Sequence, residues 1–272
     1  MKLSVLGAGV ASSHFLLDSQ GHNVFPPGFF VEWGDGEHLM FECAEGVRFR
    51  LEAMGIDISR IAHVAVSHPH PDHYAPIHFI QSVYCKGIWG GEQFKRDTLS
   101  LYGPSQLIRD FFPLWKIHLP EMTGQYEWPE IALTDMMAVP EVTIGSATLR
   151  AYPVYHAFGR CEAMAYRLET PEGTIAYSGD TGDCEGVRLV AEGADVFVCE
   201  SSGRIGDTAS SDEYGHLDPA TVGAIATQAN VKTLILFHYT GLDADADIRS
   251  AVLEAGFLGT LILGKDLTTH SW

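Results

Sequence analysis

Apolar residues along this chain gather in short runs, most of them bounded by glycine or proline. KLSVLG (2–7), FFVEW (29–33) and HLMFEC (38–43) predict early strands. Helical spacing takes over in AEGVRFRLEAMG (44–55), which stops at Gly55. AHVAVS (62–67) has the pattern of a buried strand, APIHFIQSVYCKG (75–87) that of a helix. LSLYGP (99–104) predicts a strand halted by Gly103 and Pro104, with a helix after it. Further strands are predicted at 147–156, 163–169, 173–179, 195–200, 233–238 and 260–264. DPATVGAIATQAN (218–230) predicts a helix with Asp218 as N-cap and Pro219 in its first turn, and another helix covers about 244–255. The early strands read as a meander and the later ones are split by helices, which predicts α/β layers with sheets covered by helices. Residues 105–145 are the least legible stretch, interrupted by Pro113, Pro120, Pro129 and Pro140. No linker or low-complexity tract divides the chain, so 1–272 reads as a single domain.

Composition narrows the classes. A chain of 272 residues with 46% hydrophobic content can bury a sizeable core. With 17 basic and 35 acidic residues the formal charge is −18, which repels polyanions and disfavours long nucleic acid unless metal ions or a local basic patch reverse the field. Cys43, Cys85, Cys161, Cys184 and Cys199 are odd in number and scattered without a CxxC, as free thiols in a reducing compartment would be. No apolar run reaches membrane-spanning length, and the apolar part of MKLSVLGAG is too short for a signal peptide. The expectation is a cytoplasmic protein with no membrane partner.

The densest chemistry is VSHPHPDHYAP (66–76). Neutral imidazoles and carboxylates are the ligands of zinc and similar ions. In an extended strand end, His68 and His70 share a face, while Asp72 and His73 follow the turn and face a second point. One turn thus offers two ligand pairs, as a two-metal site requires. Without a metal, imidazoles this crowded would repel on protonation. Further ligands must come from elsewhere, and three residues directly follow predicted strands: His156, Asp180 and His238. Strand ends are where α/β sheets place their sites. GAGVAS (7–12) lacks the third glycine of a dinucleotide fingerprint and reads better as a glycine turn lining the metal cleft, with Ser12 and His14 as candidate neighbours. Tyr74 and Tyr239 adjoin ligands and are candidate substrate contacts, although an aromatic at a strand end more often packs.

SHPHPDH resembles the H-x-H-x-D-H signature of the metallo-β-lactamase-fold hydrolases, and His156, Asp180 and His238 follow in that family's order. The resemblance implies an αββα metallo-β-lactamase-like sandwich with a dinuclear site at one edge. It implies that His68, His70 and His156 hold one ion, that Asp72, His73 and His238 hold the other, and that Asp180 bridges them. Within the family the chain is most similar to the ribonuclease Z branch and its small phosphodiesterase relatives, through SVLGAGV, LYGP, FHYTG, CESS and GHLDPATVGAIA. That likeness implies that Glu200 and His216 act together near the scissile bond. Two departures stand out: Glu42 occupies the place of a usual supporting aspartate, and Cys199 that of a usual histidine. No long Gly/Pro-rich insertion resembles the arm with which long-form enzymes grip transfer RNA.

The expected function is that of a metal-dependent hydrolase, a phosphodiesterase whose two divalent ions (zinc, with manganese or iron as alternatives) activate a shared water that Asp72 orients. His216, oriented by Glu200, serves the leaving oxygen. The expected substrate is a small phosphodiester or nucleotide, and the resemblance implies a homodimer. Thioester, lactone or β-lactam hydrolysis on the same site, and a non-catalytic metal- or ligand-binding member of the fold, stay open at this point.

Overall fold

The computed structural model of the chain describes residues 1–10, 24–91, 98–118, 130–206, 213–238 and 240–272. Ser12, His14 and Tyr239 lie outside them. Strands β1 (Lys2–Gly7), β2 (Gly28–Trp33) and β3 (Glu37–Phe41) form an antiparallel meander. Their side chains alternate between two burial environments. Leu3, Val5, Phe29 and Val31 enter one core cluster, and Leu6, Phe30 and Met40 another. Strands buried on both faces lose the polar half of the usual alternation, which is why they read as continuous apolar runs.

Helix α1 (Val47–Ala53), β4 (His63–Ala65), α2 (Pro76–Trp89), β5 (Thr98–Gly103), α3 (Ser105–His118) and β6 (Glu130–Asp135) then extend this sheet with parallel strands. The same order runs a second time. Strands β7 (Glu141–Ile144), β8 (Ala147–Val154), β9 (Ala163–Thr170) and β10 (Gly173–Tyr177) are antiparallel neighbours. Helix α4 (Glu185–Ala191), β11 (Val196–Glu200), α5 (Pro219–Gln228), β12 (Thr233–Phe237), α6 (Asp245–Glu254) and β13 (Thr260–Leu263) complete a parallel series. Strand β14 (Thr268–Ser271) crosses back to pair with β1. The result is two seven-stranded sheets, ordered β14-β1-β2-β3-β4-β5-β6 and β13-β12-β11-β10-β9-β8-β7.

Three apolar layers hold the sheets and helices together. The central one joins inward residues of both sheets, among them Phe29, Phe41, Tyr166, Tyr177, Val198 and Phe237. A second lies between the first sheet and α1–α3, a third between the second sheet and α4–α6. This is the αββα sandwich. At its centre Phe41 and Tyr177 stack at 4.9 Å, and Phe29 meets Phe237 edge-on at 5.1 Å. Aromatic pairs of this kind each contribute about 0.5–1.5 kcal/mol beyond area burial. Tyr177 also sends its hydroxyl toward the site, where it donates to Glu42 at 2.8 Å.

The meander followed by helix-split strands occurs in both halves, not once along the chain. Three strands escape the hydrophobic pattern: β6, β7 and β14. Each lies at a sheet edge or pairs with the edge, and β14 (TTHS) has no apolar residue at all. Helix α4 is short and framed by glycines, which masks its period. Pro113 sits inside α3 instead of ending it. Leu107, Phe111 and Trp115 are buried at four-residue spacing along that helix, and the stripe carries it across a residue that costs a helix interior roughly 3 kcal/mol. Asp218 does cap α5, accepting from Ala220 N at 2.9 Å and Thr221 N at 3.2 Å.

Candidate active site

The parallel strands of both sheets end at one edge of the sandwich, and the histidine turn follows β4 there. His68, His73, Asp72, His156, Asp180 and His238 are all buried, and His70 is partly so. The structure gathers them into overlapping groups. His68, His70 and His156 point ligand atoms at one locus, and Asp72, His73 and His238 at another. Asp180 groups with His68 and His73. Its Oδ1 lies 3.3 Å from His73 Nε2, and its Oδ2 lies 3.3 Å from His238 Nε2 and 3.9 Å from both His68 Nε2 and His156 Nε2.

These side chains fit a metal better than they fit one another. His68 Nε2 is buried without a hydrogen-bond partner, and His73 Nε2 and Asp180 Oδ1, likewise without one, meet only as an ion-pair contact at 3.3 Å. Such atoms cost about 1–3 kcal/mol each unless something satisfies them. His70 Nδ1 and His156 Nε2 stand 3.2 Å apart, close to the ~3.3 Å edge of a tetrahedron with 2.0–2.1 Å metal–nitrogen bonds. The far nitrogens are tethered. His68 Nδ1 hydrogen-bonds Ser67 Oγ at 2.9 Å, His156 Nδ1 donates to the Gly215 carbonyl at 2.9 Å, and His73 Nδ1 faces Glu42 Oε1 at 3.3 Å. Outer partners of this sort fix the ring tautomer and aim the other nitrogen at a metal.

The extra methylene of Glu42 is accommodated. Its carboxylate reaches His73 while accepting from Ser67 N at 3.2 Å and from Tyr177. Glu42 itself sits at φ 66, and His238 at φ 65, left-handed conformations that cluster at functional sites. His238 N donates to the Ala8 carbonyl at 2.6 Å. The glycine turn therefore supports the site through its backbone: a Cβ on Gly7 would overlap the Pro26 carbonyl oxygen.

Charge states follow from burial. Burial, reinforced by the neighbouring His73, holds His68 well below the ordinary imidazole range, and burial lowers His70 and His156 as well. These three imidazoles are neutral, with lone pairs free to ligate. Burial opposes ionisation of Asp180, yet His238 and His73 overcome it and hold the carboxyl well below its usual range. Burial likewise opposes Asp72, whose hydrogen bond from His238 keeps it ionised.

Glu200 and His216 form the adjoining wall. Glu200 ends β11, and strand alternation turns it to the opposite face from Cys199, whose side chain packs in the third layer. The Glu200 carboxylate accepts from Thr181 N, Leu217 N, Ser202 N and Ser202 Oγ, and from His216 Nδ1 at 2.9 Å. His216 also comes within ligand distance of His156 and Asp180. Burial alone would depress His216, but the Glu200 carboxylate raises it to about 9. Tyr74 does not join the site. It packs between the first sheet and its helices.

Sequence reading missed the supporting and bordering residues: Ser67, Tyr177, Gly215, Tyr155, Phe158 and Tyr214. Only the glycine carries a signal, and only in hindsight of its conformation. At φ 89, Gly215 approaches His156 so closely that a Cβ would fall 2.7 Å from His156 Cα and 2.6 Å from the Tyr155 carbonyl oxygen. Gly215→Ala should therefore displace His156 and its tether. Metal affinity, read by competition with a chromogenic zinc chelator, should fall about 10–100-fold, and an unchanged affinity would refute this role.

A family model described as the Beta-lactamase superfamily domain matches residues 40–239. The chain is 26% identical over 273 residues to a Ribonuclease Z of Bradyrhizobium sp. (strain ORS 278), covering 84% of this chain and 88% of that protein. A Ribonuclease Z of Thermobifida fusca (strain YX) is 25% identical over 303 residues, covering 98% and 93%. Among solved structures, the metallo-beta-lactamase fold protein YhfI from Bacillus subtilis superposes with a TM-score of 0.80 at 21% identity, covering 99% of this chain and 98% of its own. The short form of human tRNase Z (ELAC1) superposes with a TM-score of 0.70 at 18% identity, covering 100% and 99%. The fold implies divalent metal cofactors. Among the described residues no helix is long and apolar enough to cross a membrane.

Proposed function

Since the chain belongs to the Beta-lactamase superfamily, we propose that it is a metal-dependent phosphodiesterase holding two divalent ions, zinc by the chemistry of its donors. The ligands would be His68, His70 and His156 for one ion and Asp72, His73 and His238 for the other, with Asp180 between them. Imidazole-rich sets with carboxylates suit zinc, manganese or iron, and nitrogen predominance favours zinc. The ligands come from both sheets, so residues 1–272 would act as one catalytic unit.

When bound, such ions polarise a phosphoryl oxygen and lower the pKa of a water toward neutrality. The chain's own groups do the rest. The tethers from Ser67, Glu42 and Gly215 fix the imidazoles before substrate arrives, so no reorganisation is spent on aiming them. Asp72, held ionised beside His238, orients the attacking water. His216, protonated at neutral pH by virtue of Glu200, donates from Nε2 to the leaving oxygen. Burial of Glu200 under five hydrogen bonds keeps that pair in one geometry.

The observation that carries the phosphodiester reading is the Glu200–His216 pair at 2.9 Å against the metal cluster. An alkoxide leaving group needs a proton donor, and this pair supplies one. Relatives named Ribonuclease Z agree with it. The test is a side-by-side panel with zinc- or manganese-loaded protein: bis-p-nitrophenyl phosphate, a thioester, a lactone and a β-lactam. Phosphodiester turnover should exceed the others. Faster turnover of a thioester or lactone would reject the substrate class, and a protein that retains no metal would reject the site.

A further inference from the structure

Beyond the metal cluster, three consecutive residues adopt left-handed backbone: Ala157 at φ 50, Phe158 at φ 56 and Gly159 at φ 68. Glycine takes this conformation freely, but alanine and phenylalanine do not. The turn directly follows His156, and it holds Phe158 52% exposed instead of burying it. Strained backbone that displays an apolar ring to water calls for a functional reason.

The ring is the outer end of a continuous aromatic series. Phe158 meets Tyr214 edge-to-face at 5.1 Å and 80°, and Tyr214 stacks on His216 at 5.2 Å and 19°. Tyr214 also contacts the His156 ring edge-on at 5.5 Å, and it is itself 39% exposed. The two loops are pinned together, since Tyr155 Oη donates to the Glu213 carbonyl at 3.1 Å and His156 Nδ1 to Gly215. The platform is thus fixed in place relative to the metal ligands and to the proton donor.

We propose that Phe158 and Tyr214 form a stacking subsite for a planar aromatic group, a nucleobase, carried by the substrate beside its scissile phosphodiester. This rests on the phosphodiesterase reading for the reaction, but the binding it describes does not depend on turnover. Aromatic faces hold bases without demanding a sequence, and each stack is worth about 1–3 kcal/mol. The formal charge of −18 gives no long-range attraction for a polyanion, so base stacking adds to whatever the phosphate gains at the ions and favours a nucleotide-sized substrate.

The experiment measures binding of AMP and of ribose 5-phosphate to the zinc-loaded protein by calorimetry. Both offer the same phosphate, and only AMP carries a base. AMP should bind about tenfold more tightly, equivalent to about 1.4 kcal/mol. Phe158→Ala should bring AMP down to the level of ribose 5-phosphate and leave the latter within twofold, while Phe158→Trp should keep the preference. Phe158→Gly should also abolish it without lowering Tm, because glycine accepts φ 56 with no Cβ penalty. Equal affinities in the wild type, or equal weakening of both ligands in Phe158→Ala, would overturn the subsite. If wild-type protein cleaves no phosphodiester yet prefers AMP through Phe158, the reaction assignment fails and the subsite stands. If phosphodiesters are cleaved and the preference is absent, the reverse holds.

Discussion

Asparagine in place of Asp180 should abolish hydrolysis and empty the metal cluster to below one ion per chain. Among the described residues, Asp180 is the one carboxylate within 4 Å of His68, His73, His156 and His238 together. The amide keeps the shape, but it loses the charge and turns a pair of N–H donors toward imidazole nitrogens. Metal charge stabilises a transition state by several kcal/mol, and each 1.36 kcal/mol is tenfold in rate, so the loss in kcat should be on the order of 10³-fold or more. Metal content by mass spectrometry and turnover of bis-p-nitrophenyl phosphate are the readouts. Circular dichroism would show that the sandwich survives. Two ions and near-normal turnover in Asp180→Asn would remove Asp180 from the bridging role.

Alanine in place of His216 should slow kcat by about 10²–10⁴-fold, the usual worth of a positioned acid, with metal content unchanged. Metal content is a necessary readout, because His216 also groups with His156 and Asp180. Loss of an ion would make His216 a ligand instead. Glu200→Gln separates the roles by pH. Burial pushes the His216 imidazolium toward deprotonation, and the Glu200 carboxylate reverses this to about 9. The acid form is populated below that value, so wild-type rates should hold through neutral pH and fall as pH rises through about 9. Without the Glu200 carboxylate the main support of the imidazolium against burial is gone, with only the weaker pull of Asp180 remaining, and the alkaline limb should move to lower pH. An unmoved limb would show that another group donates the proton. The same raised value means that the His216 imidazolium stabilises the folded state fully below the free-imidazole value of 6.5, and that this contribution is lost as pH climbs from there through about 9.

The residues that could be read from sequence are those whose chemistry is costly to bury without a purpose. His68, His70, Asp72 and His73 announce themselves by density, and His156, Asp180 and His238 by standing directly after apolar runs. Those runs were legible because strands packed on both faces carry few polar positions. What stayed hidden depends on three-dimensional approach. Ser67 and Tyr177 are ordinary residues until they face His68 and Glu42. Gly215 is one glycine among 28 until its neighbour proves to be His156. Phe158 and Tyr214 lie 56 positions apart, and no period links them. Edge strands failed for the opposite reason: half-exposed β6 and polar β14 have too little burial to leave a pattern.

Strand β14 has a further consequence, for the order in which the fold can be assembled. The first sheet takes its outer strand from residues 268–271, paired with residues 2–5. A ribosome releases β1 long before its partner exists, so throughout synthesis that edge offers unpaired N–H and C=O groups to any passing strand. Contacts this distant in sequence also fold slowly, because the chain must close a long loop before the pairing rewards it. The two halves repeat one plan, yet neither can finish alone: the first lacks its border, and each holds only part of the histidine cluster. Pairing of β14 with β1 therefore ties the last residues of the second half to the border of the first sheet.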